Sequence, residues 1–416
     1  MNHLLKTYYK CWTYTIDNDS MGGLNPQTFY FNLSYDSYLK DNELDNFVEN
    51  RKNPVTLYEH KFDKVCPDIS QSQTLNSNGL VVDGIKKINR YYSLSDRTIT
   101  YDCHFNNDTV ALFEFLDDNA IVKVDIKNHI VQLGSLEIRK THVLDGEGDY
   151  KICLTKYYNK FIIDVYSSSK HIQMIYYHDS NGGVGDGVVN YGRGGTMCHD
   201  YYAFDVQGSP YEIRSIKIES RQADVVFYGD SITEPESYFP AATFDYSWTR
   251  LMTRKMNNRA VVSGRGGTNV PEIMYRIGNE LPYLGAKYCI ITIGTNGGNT
   301  EANLSALIEY VLSLNITPIL NHIPCYSHCG DAESYKARNF QIDGIRAKYD
   351  IKGVDFDKAT SLNGDGQQID LNTMWKENYG GTSIYYHHPN TVGALRMLNQ
   401  SLLDIPEVYE YTKTLL

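Results

Sequence analysis

The period of the hydrophobic pattern changes near residue 220. Between Pro54 and Ser220 the apolar residues fall in short runs rich in β-branched and aromatic types. These are VTLYEHKF, RTITYDCHF, TVALFEFL, AIVKVDI, HIVQLGSLEI, YKICLTKY, KFIIDVYS, HIQMIYYH and EIRSIKIES. Asn, Asp and Gly clusters such as NND, DGEGD and YNK separate them. Such runs, with turn signals and no helical spacing between them, predict an antiparallel β-sandwich. After Arg221, buried-strand runs alternate with segments of helical spacing. ADVVFYG, RAVVSG, KYCIITIG, TPILNHI and GVDF read as strands. YSWTRLMTRKMN, VPEIMYRIGNEL, ANLSALIEYVLSLN and AESYKARNFQIDGIRAKY read as the helices between them. PNTVGALRMLNQSLL closes the chain as a helix with Val392, Leu395, Leu398 and Leu402 on one face. This alternation predicts an α/β domain whose parallel sheet is covered on both sides, with its chemistry at the carboxyl ends of the strands. The chain therefore divides into 1–53, an extension without clear period, a β-sandwich over 54–221, and the α/β domain over 222–416.

Composition narrows the function classes. Of 416 residues, 39 are Lys or Arg and 50 are Asp or Glu, a formal charge of −11. An acidic chain lacks the basic surface that neutralises phosphates, so nucleic acid is not expected as a partner. No stretch approaches the roughly 20 apolar residues that cross a bilayer, so membrane insertion is not expected either. The opening MNHLLKTYYKCWTYTIDNDS has no apolar segment of the secretory type. The compartment stays open: extracellular or periplasmic if a leader was removed, otherwise cytoplasmic. The eight cysteines are scattered without a CxxC pair. HIPCYSHC, with His322, Cys325, His328 and Cys329, has no second ligand pair at finger spacing and reads as ordinary loop thiols. The glycine-rich run 181–196 lacks the GK[ST] ending of a phosphate cradle and reads as a loop between strands.

The candidate chemistry lies at successive strand ends of the α/β domain. The first strand runs into Gly229-Asp230-Ser231, where a glycine permits a sharp turn and a serine hydroxyl is presented beside a helix start. The second ends in Ser263-Gly264-Arg265-Gly266-Gly267-Thr268, able to turn a backbone N–H toward the site. The third ends in Gly294-Thr295-Asn296-Gly297, which places an amide at the same rim. His387-His388-Pro389-Asn390 opens the last helix. A nucleophile, donors for an oxyanion and a base are thus gathered in order. Arg265 is expected near the mouth of the site.

These four blocks resemble the SGNH, or GDSL-type, hydrolase family over roughly 222–416. The resemblance implies a flavodoxin-like three-layer fold with a parallel sheet, and a carboxylic ester hydrolase that needs no metal or organic cofactor. Position by position it implies Ser231 as nucleophile, His388 as base, and an oxyanion hole of Ser231, Gly267 and Asn296, with Gly266 as the alternative to Gly267. The family's Asp three residues before the histidine is replaced by Tyr385. Three readings are open: a backbone carbonyl orients the imidazole, an acid such as Asp370 or Glu377 in the preceding loop does so, or the domain is inactive and kept for binding. The strand rhythm of 54–221 resembles a concanavalin-like jelly roll, as in lectin and laminin-G-type modules. A sandwich joined to such a hydrolase resembles carbohydrate esterases, so the expected partner is an acylated glycan or another small ester. The rival expectation is a glycan-binding or structural protein with a degenerate hydrolase domain.

Overall fold

The computed structural model describes residues 28–31, 54–114, 121–133, 139–141, 144–158, 160–179, 188–190, 200–234, 239, 244–327, 334–378 and 384–413. Apart from Thr28–Phe31, the extension 1–53 lies outside them.

Among the described residues of the N-terminal part, two antiparallel sheets of nine and six strands pack together. The larger contains β1 (Asp96–Phe105), β2 (Gly148–Tyr157), β3 (Lys160–Tyr166) and β4 (Tyr211–Arg221), in the spatial order β3-β2-β1-β4. Alternation sets their two faces. Ile99, Tyr101, Cys103 and Phe105 of β1 point to the core together with Ile216 and Ile218 of β4, and all are at most 1% exposed. Across the gap Tyr101 meets Phe113 and Phe204 of the smaller sheet, with ring centroids 4.7 and 5.9 Å away. Thr28–Phe31 pairs antiparallel with His171–Asp179 and so extends the larger sheet.

Several strands carry no clear alternation in the sequence, among them Lys86–Tyr92 and Asp200–Gly208. They are held by pairing to each other, and Asp200–Gly208 also pairs with Thr109–Glu114.

Arg221 ends β4, and β5 (Val225–Gly229) begins the C-terminal part. There β6 (Ala260–Gly264), β7 (Tyr288–Thr292) and β8 (Thr317–Leu320) join it in a parallel sheet of order β6-β5-β7-β8. Every residue of β5, β6 and β7 is buried. The helices are α1 (Trp248–Lys255), α2 (Met274–Glu280), α3 (Glu301–Ser313), α4 (Ser334–Tyr349), α5 (Phe356–Thr360), α6 (Thr391–Asp404) and α7 (Pro406–Lys413). No helix among the described residues is long and apolar enough to cross a membrane.

Two sequence expectations need correction here. GVDF is not a fifth strand. It lies along the end of β8 through two backbone bonds, Leu320 N to Lys352 O and His322 N to Val354 O, both 2.9 Å, and Phe356 already starts α5. The Asn321 side chain occupies the next ladder position, accepting from Val354 N at 2.9 Å. The apolar face assigned to α6 is also displaced. Val392, Leu395 and Leu402 are exposed, whereas Ala394, Met397, Leu398 and Ser401 are buried, an i, i+3, i+4, i+7 stripe that includes a serine. Ser401 is tolerated inside because its hydroxyl bonds Leu398 O at 2.6 Å and the Tyr409 hydroxyl at 2.5 Å.

The two parts share one hydrophobic core, which runs from Leu57 and Tyr101 to Val226, Ile277 and Ile345. Buried polar contacts sit on the same seam. Ser95 N bonds Val262 O at 2.7 Å, beside a bridge between Leu94 and Ser263. Arg221 reaches Asp96 Oδ2 at 2.8 Å, Asn258 O at 3.0 Å and Ala260 O at 2.6 Å. Glu280, fully buried, accepts from Ser93 N and Leu94 N at 2.5 and 3.2 Å on one oxygen and from the Ser263 hydroxyl at 2.7 Å on the other. Burial raises its pKa, and the nearby Arg276 charge works against that. Truncating Glu280 leaves these donors and Arg276 uncompensated in the interior. Glu280→Ala is expected to lower unfolding free energy by about 3–5 kcal/mol, read from urea denaturation. A loss below 1 kcal/mol would show that the seam does not depend on this carboxylate.

Candidate active site

The central strand β5 ends at Gly229, where a Cβ would stand 2.3 Å from Thr292 O and 2.0 Å from Thr233 Oγ1, so only glycine fits. The chain then makes a single helical turn: Thr233 N and Glu234 N both bond Asp230 O, at 3.1 and 3.0 Å. The segment YSWTRLMTRKMN forms α1 from Trp248, whose Nε1 bonds Ile232 O at 2.6 Å and ties α1 to this turn. Ser231, 5% exposed, sits on the turn. Asp230 is completely buried, and its Oδ1 accepts Ile232 N at 3.0 Å. Desolvation pushes its carboxyl up to about 7, against the opposing bonds from Ile232 and Thr295.

The end of β6 packs directly on that turn. A Cβ on Gly264 would lie 2.5 Å from Glu234 N. Arg265 is not at the mouth. It is 2% exposed and its Nη1 lies 3.3 Å from Glu234 Oε1. Glu234 Oε2 also accepts Gly266 N at 2.7 Å, which commits that N–H elsewhere. Gly267 follows with φ +79°, exposed, and with open space where a Cβ would stand. Neither its N–H nor that of Ser231 has a hydrogen-bond partner among the described residues.

Asn296 follows β7 and donates through Nδ2 to Thr268 O at 3.0 Å. An amide nitrogen carries two hydrogens, so one donor remains. The turn that presents it is fixed by Arg338 of α4, whose Nη1 donates to Gly294 O at 3.0 Å and to Thr295 O.

His388 enters on a segment paired antiparallel with β9 (Lys376–Asn378) and the residues before it. Glu377 and Tyr385 exchange backbone bonds at 2.9 and 3.0 Å, Trp375 N bonds His388 O at 2.8 Å, and Asn390 N bonds Thr373 O at 2.9 Å. Asn390 then caps α6, its Oδ1 accepting Val392 N and Gly393 N at 2.9 and 3.1 Å. His388 Nε2 lies 2.8 Å from Ser231 Oγ. His388 Nδ1 lies 2.7 Å from Glu377 Oε1, which also accepts the His388 backbone N–H at 3.1 Å. A carboxylate on Nδ1 fixes the proton there, so Nε2 is the basic nitrogen facing the serine. On the other side of β9, Val188–Asn190 pairs with it in parallel, Val189 opposite Glu377. This short strand belongs to the glycine-rich run that the sequence gives no reason to place here.

Of the two acids named from sequence, the structure brings Glu377 to the imidazole and not Asp370. Asp370 pairs with Arg396 at 2.8 Å and accepts Asn372 N at 3.0 Å, which together hold its pKa below the usual carboxylate value against burial. Tyr385 does stand where an acid was missing, but Glu377 is directly across the strand pair from it. His387, which sequence reasoning passed over, stacks on His388 at 4.6 Å and 9° and on Tyr326 at 5.3 Å.

Two groups among the described residues have ligand atoms close enough to hold a metal ion, Glu377–His387–His388 and His322–Asp355–Asp357. In the first, Glu377 and His388 are already committed to each other. In the second, His322 bonds Asp357 and Asp343 through its two nitrogens at 2.9 and 2.8 Å, and Arg346 and Lys358 each pair with Asp355 at 2.7 Å. Cys325 is buried with Sγ 3.3 Å from Asp357 O, and burial pushes its thiol up to about 11. His328 and Cys329 lie outside the described residues. Cys66, Cys103, Cys153, Cys289 and Cys325 are free thiols.

No family profile matches the chain, and no curated protein matches it in sequence. Solved structures similar to part of it include a GDSL-like lipase from Bacteroides thetaiotaomicron, at 18% identity and TM-score 0.35, covering 45% of this chain and 87% of that one. A member of the lipolytic G-D-S-L family from Veillonella parvula is 20% identical, with TM-score 0.34 over 44% of this chain and 97% of its own. A catalytic mutant of an acetylxylan esterase from Geobacillus stearothermophilus is 14% identical, with TM-score 0.33 over 43% and 92% of the two chains.

The buried Asp230 makes stability pH-dependent. Folding raises its pKa from 3.8 to about 7. Its contribution is therefore whole below the unfolded value and is lost as pH rises through the folded one. Between pH 4 and 7 the wild-type Tm is expected to fall relative to that of Asp230→Asn, which keeps the Oδ1 acceptor. Parallel Tm curves for the two proteins across that window would contradict it.

Proposed function

We propose that this chain is a serine esterase acting on short acyl esters of carbohydrate, O-acetyl groups in particular. The observation that carries the reading is the unbroken line Ser231 Oγ–His388 Nε2, His388 Nδ1–Glu377 Oε1, at 2.8 and 2.7 Å. His388 takes the serine proton as Oγ attacks the ester carbonyl, and Glu377 steadies the imidazolium that forms. The oxyanion meets the N–H groups of Ser231 and Gly267 and the remaining Nδ2 hydrogen of Asn296. One such donor is worth about 2.7–4 kcal/mol in the transition state. His388 then protonates the departing alcohol oxygen. A water enters, gives its proton to His388 and attacks the acyl-enzyme, and Ser231 recovers its proton as the acid leaves. None of these steps calls on a metal or organic cofactor.

An acetyl-sized acyl group suits a serine only 5% exposed with a polar rim of Gly267 and Asn296. The reading of an inactive domain was motivated by Tyr385, and a carboxylate on Nδ1 removes that motive.

Ser231→Ala is expected to abolish hydrolysis of p-nitrophenyl acetate. Glu377→Gln should lower kcat by roughly three to four orders of magnitude by offering the imidazole the wrong partner. Wild type is expected to release acetate from acetylated xylan and to favour p-nitrophenyl acetate over the decanoate. Activity intact in Ser231→Ala would overturn the mechanism, and a preference for the decanoate would overturn the acyl assignment.

A further inference from the structure

Side chains two apart on a strand share a face. On the face of the larger sandwich sheet turned away from its core, register sets polar groups side by side. Cys153 of β2 is opposite both Asp164 of β3 and Thr100 of β1, and Thr98 of β1 is opposite Glu219 of β4. Together with Asp96, Lys151, Tyr166 and Arg221 they line a cavity of about 180 Å³ that shares no residue with the Ser231 site.

Two of its carboxylates are buried and half used. Asp164, 6% exposed, accepts His171 Nε2 and Gln173 Nε2 at 2.8 and 2.9 Å, both on Oδ1. Asp96, 4% exposed, accepts Arg221 Nε on Oδ2. Asp164 Oδ2 and Asp96 Oδ1 accept nothing from the described residues. Neither oxygen is sealed from solvent, so both stand open in the cavity to a hydrogen-bond donor from a ligand. At the rim, the exposed Lys151 ammonium has no ion pair among the described residues, and the Tyr166 ring, 37% exposed, stacks on His171 at 4.1 Å.

We propose that this cavity binds one pyranose unit of a neutral polysaccharide. Sugar hydroxyls donate to the idle oxygens of Asp164 and Asp96 and accept from Lys151, while the ring lies against Tyr166, an arrangement of few placed polar groups beside an aromatic surface. Other classes fit less well. Two carboxylates with idle oxygens repel an anion. Among the described residues the groups spaced to hold a metal ion are elsewhere. An extended peptide needs a free strand edge, and β1 and β2 are paired on both sides. The cavity is small for a drug-like ligand, against about 300–1,000 Å³ for such pockets, and suits a single ring. The inference is independent of the esterase reading.

The test is affinity electrophoresis of the full chain in gels containing soluble xylan, glucomannan or β-glucan. Ser231→Ala is expected to be retarded like wild type by at least one of these. Asp164→Asn and Lys151→Ala are expected to bind it about tenfold or more weakly while hydrolysing p-nitrophenyl acetate at the wild-type rate. Lys151 is exposed, so its truncation does not threaten folding. Absence of retardation on all three polymers would overturn the proposal, as would wild-type retardation of both variants. Should no ester be cleaved while retardation still depends on Asp164 and Lys151, the esterase reading fails and the sugar site stands.

Discussion

One carboxylate oxygen organises the candidate site. Glu377 Oε1 accepts both the ring Nδ1–H and the backbone N–H of His388, at 2.7 and 3.1 Å, inside a fully buried pocket. The ring bond selects the tautomer, and the backbone bond fixes where the residue itself stands, so both orientation and position follow from a single acceptor. Such a group is tolerable in the interior only because its charge is hydrogen-bonded. Backbone pairing of Glu377 with Tyr385 keeps the two strands in the register that makes both bonds possible. The stacked rings of Tyr326 and His387 then restrict rotation of the imidazole from the side.

The surrounding loops obey a related constraint, close approach of backbone. Gly229 and Gly264 let the turn after β5 sit within van der Waals distance of β6 and β7, which is what brings the Ser231, Gly267 and Asn296 blocks to one rim. Buried charges lock those blocks in place. Glu234 holds Arg265 and Gly266, and Arg276 donates to Gly229 O and Ser263 O at 2.8 and 3.1 Å. The sandwich reaches the same strands through Ser93, Leu94 and Ser95, so the rim rests on both halves of the chain.

Much of this was legible in the sequence because it is local. The run of buried residues in β5 to β7, the glycines at their ends, and the serine, amide and histidine that follow are all read within a few positions. What escaped depends on tertiary partners. Nothing in the neighbourhood of Arg265 announces that Glu234, 31 residues earlier, will bury it. Glu377 and Asp370 are equally plausible acids in one loop until strand pairing puts the first across from Tyr385 and Arg396 captures the second. In α6 the leucines outweigh Ala394 and Ser401 in any hydropathy count, whereas the packing surface takes the small side chains. GVDF has the composition of a strand, yet the Asn321 side chain takes the ladder position that a backbone group would have filled.

The short parallel pairing of Val188–Asn190 with Lys376–Asn378 gives the site a direction in time. Synthesis delivers the N-terminal segments first, and domains fold as they emerge. Val188–Asn190 is therefore synthesised well before Lys376–Asn378, the segment that carries Glu377. Assembly of the Glu377–His388 pair is in this sense vectorial, a later-made segment pairing onto an earlier one.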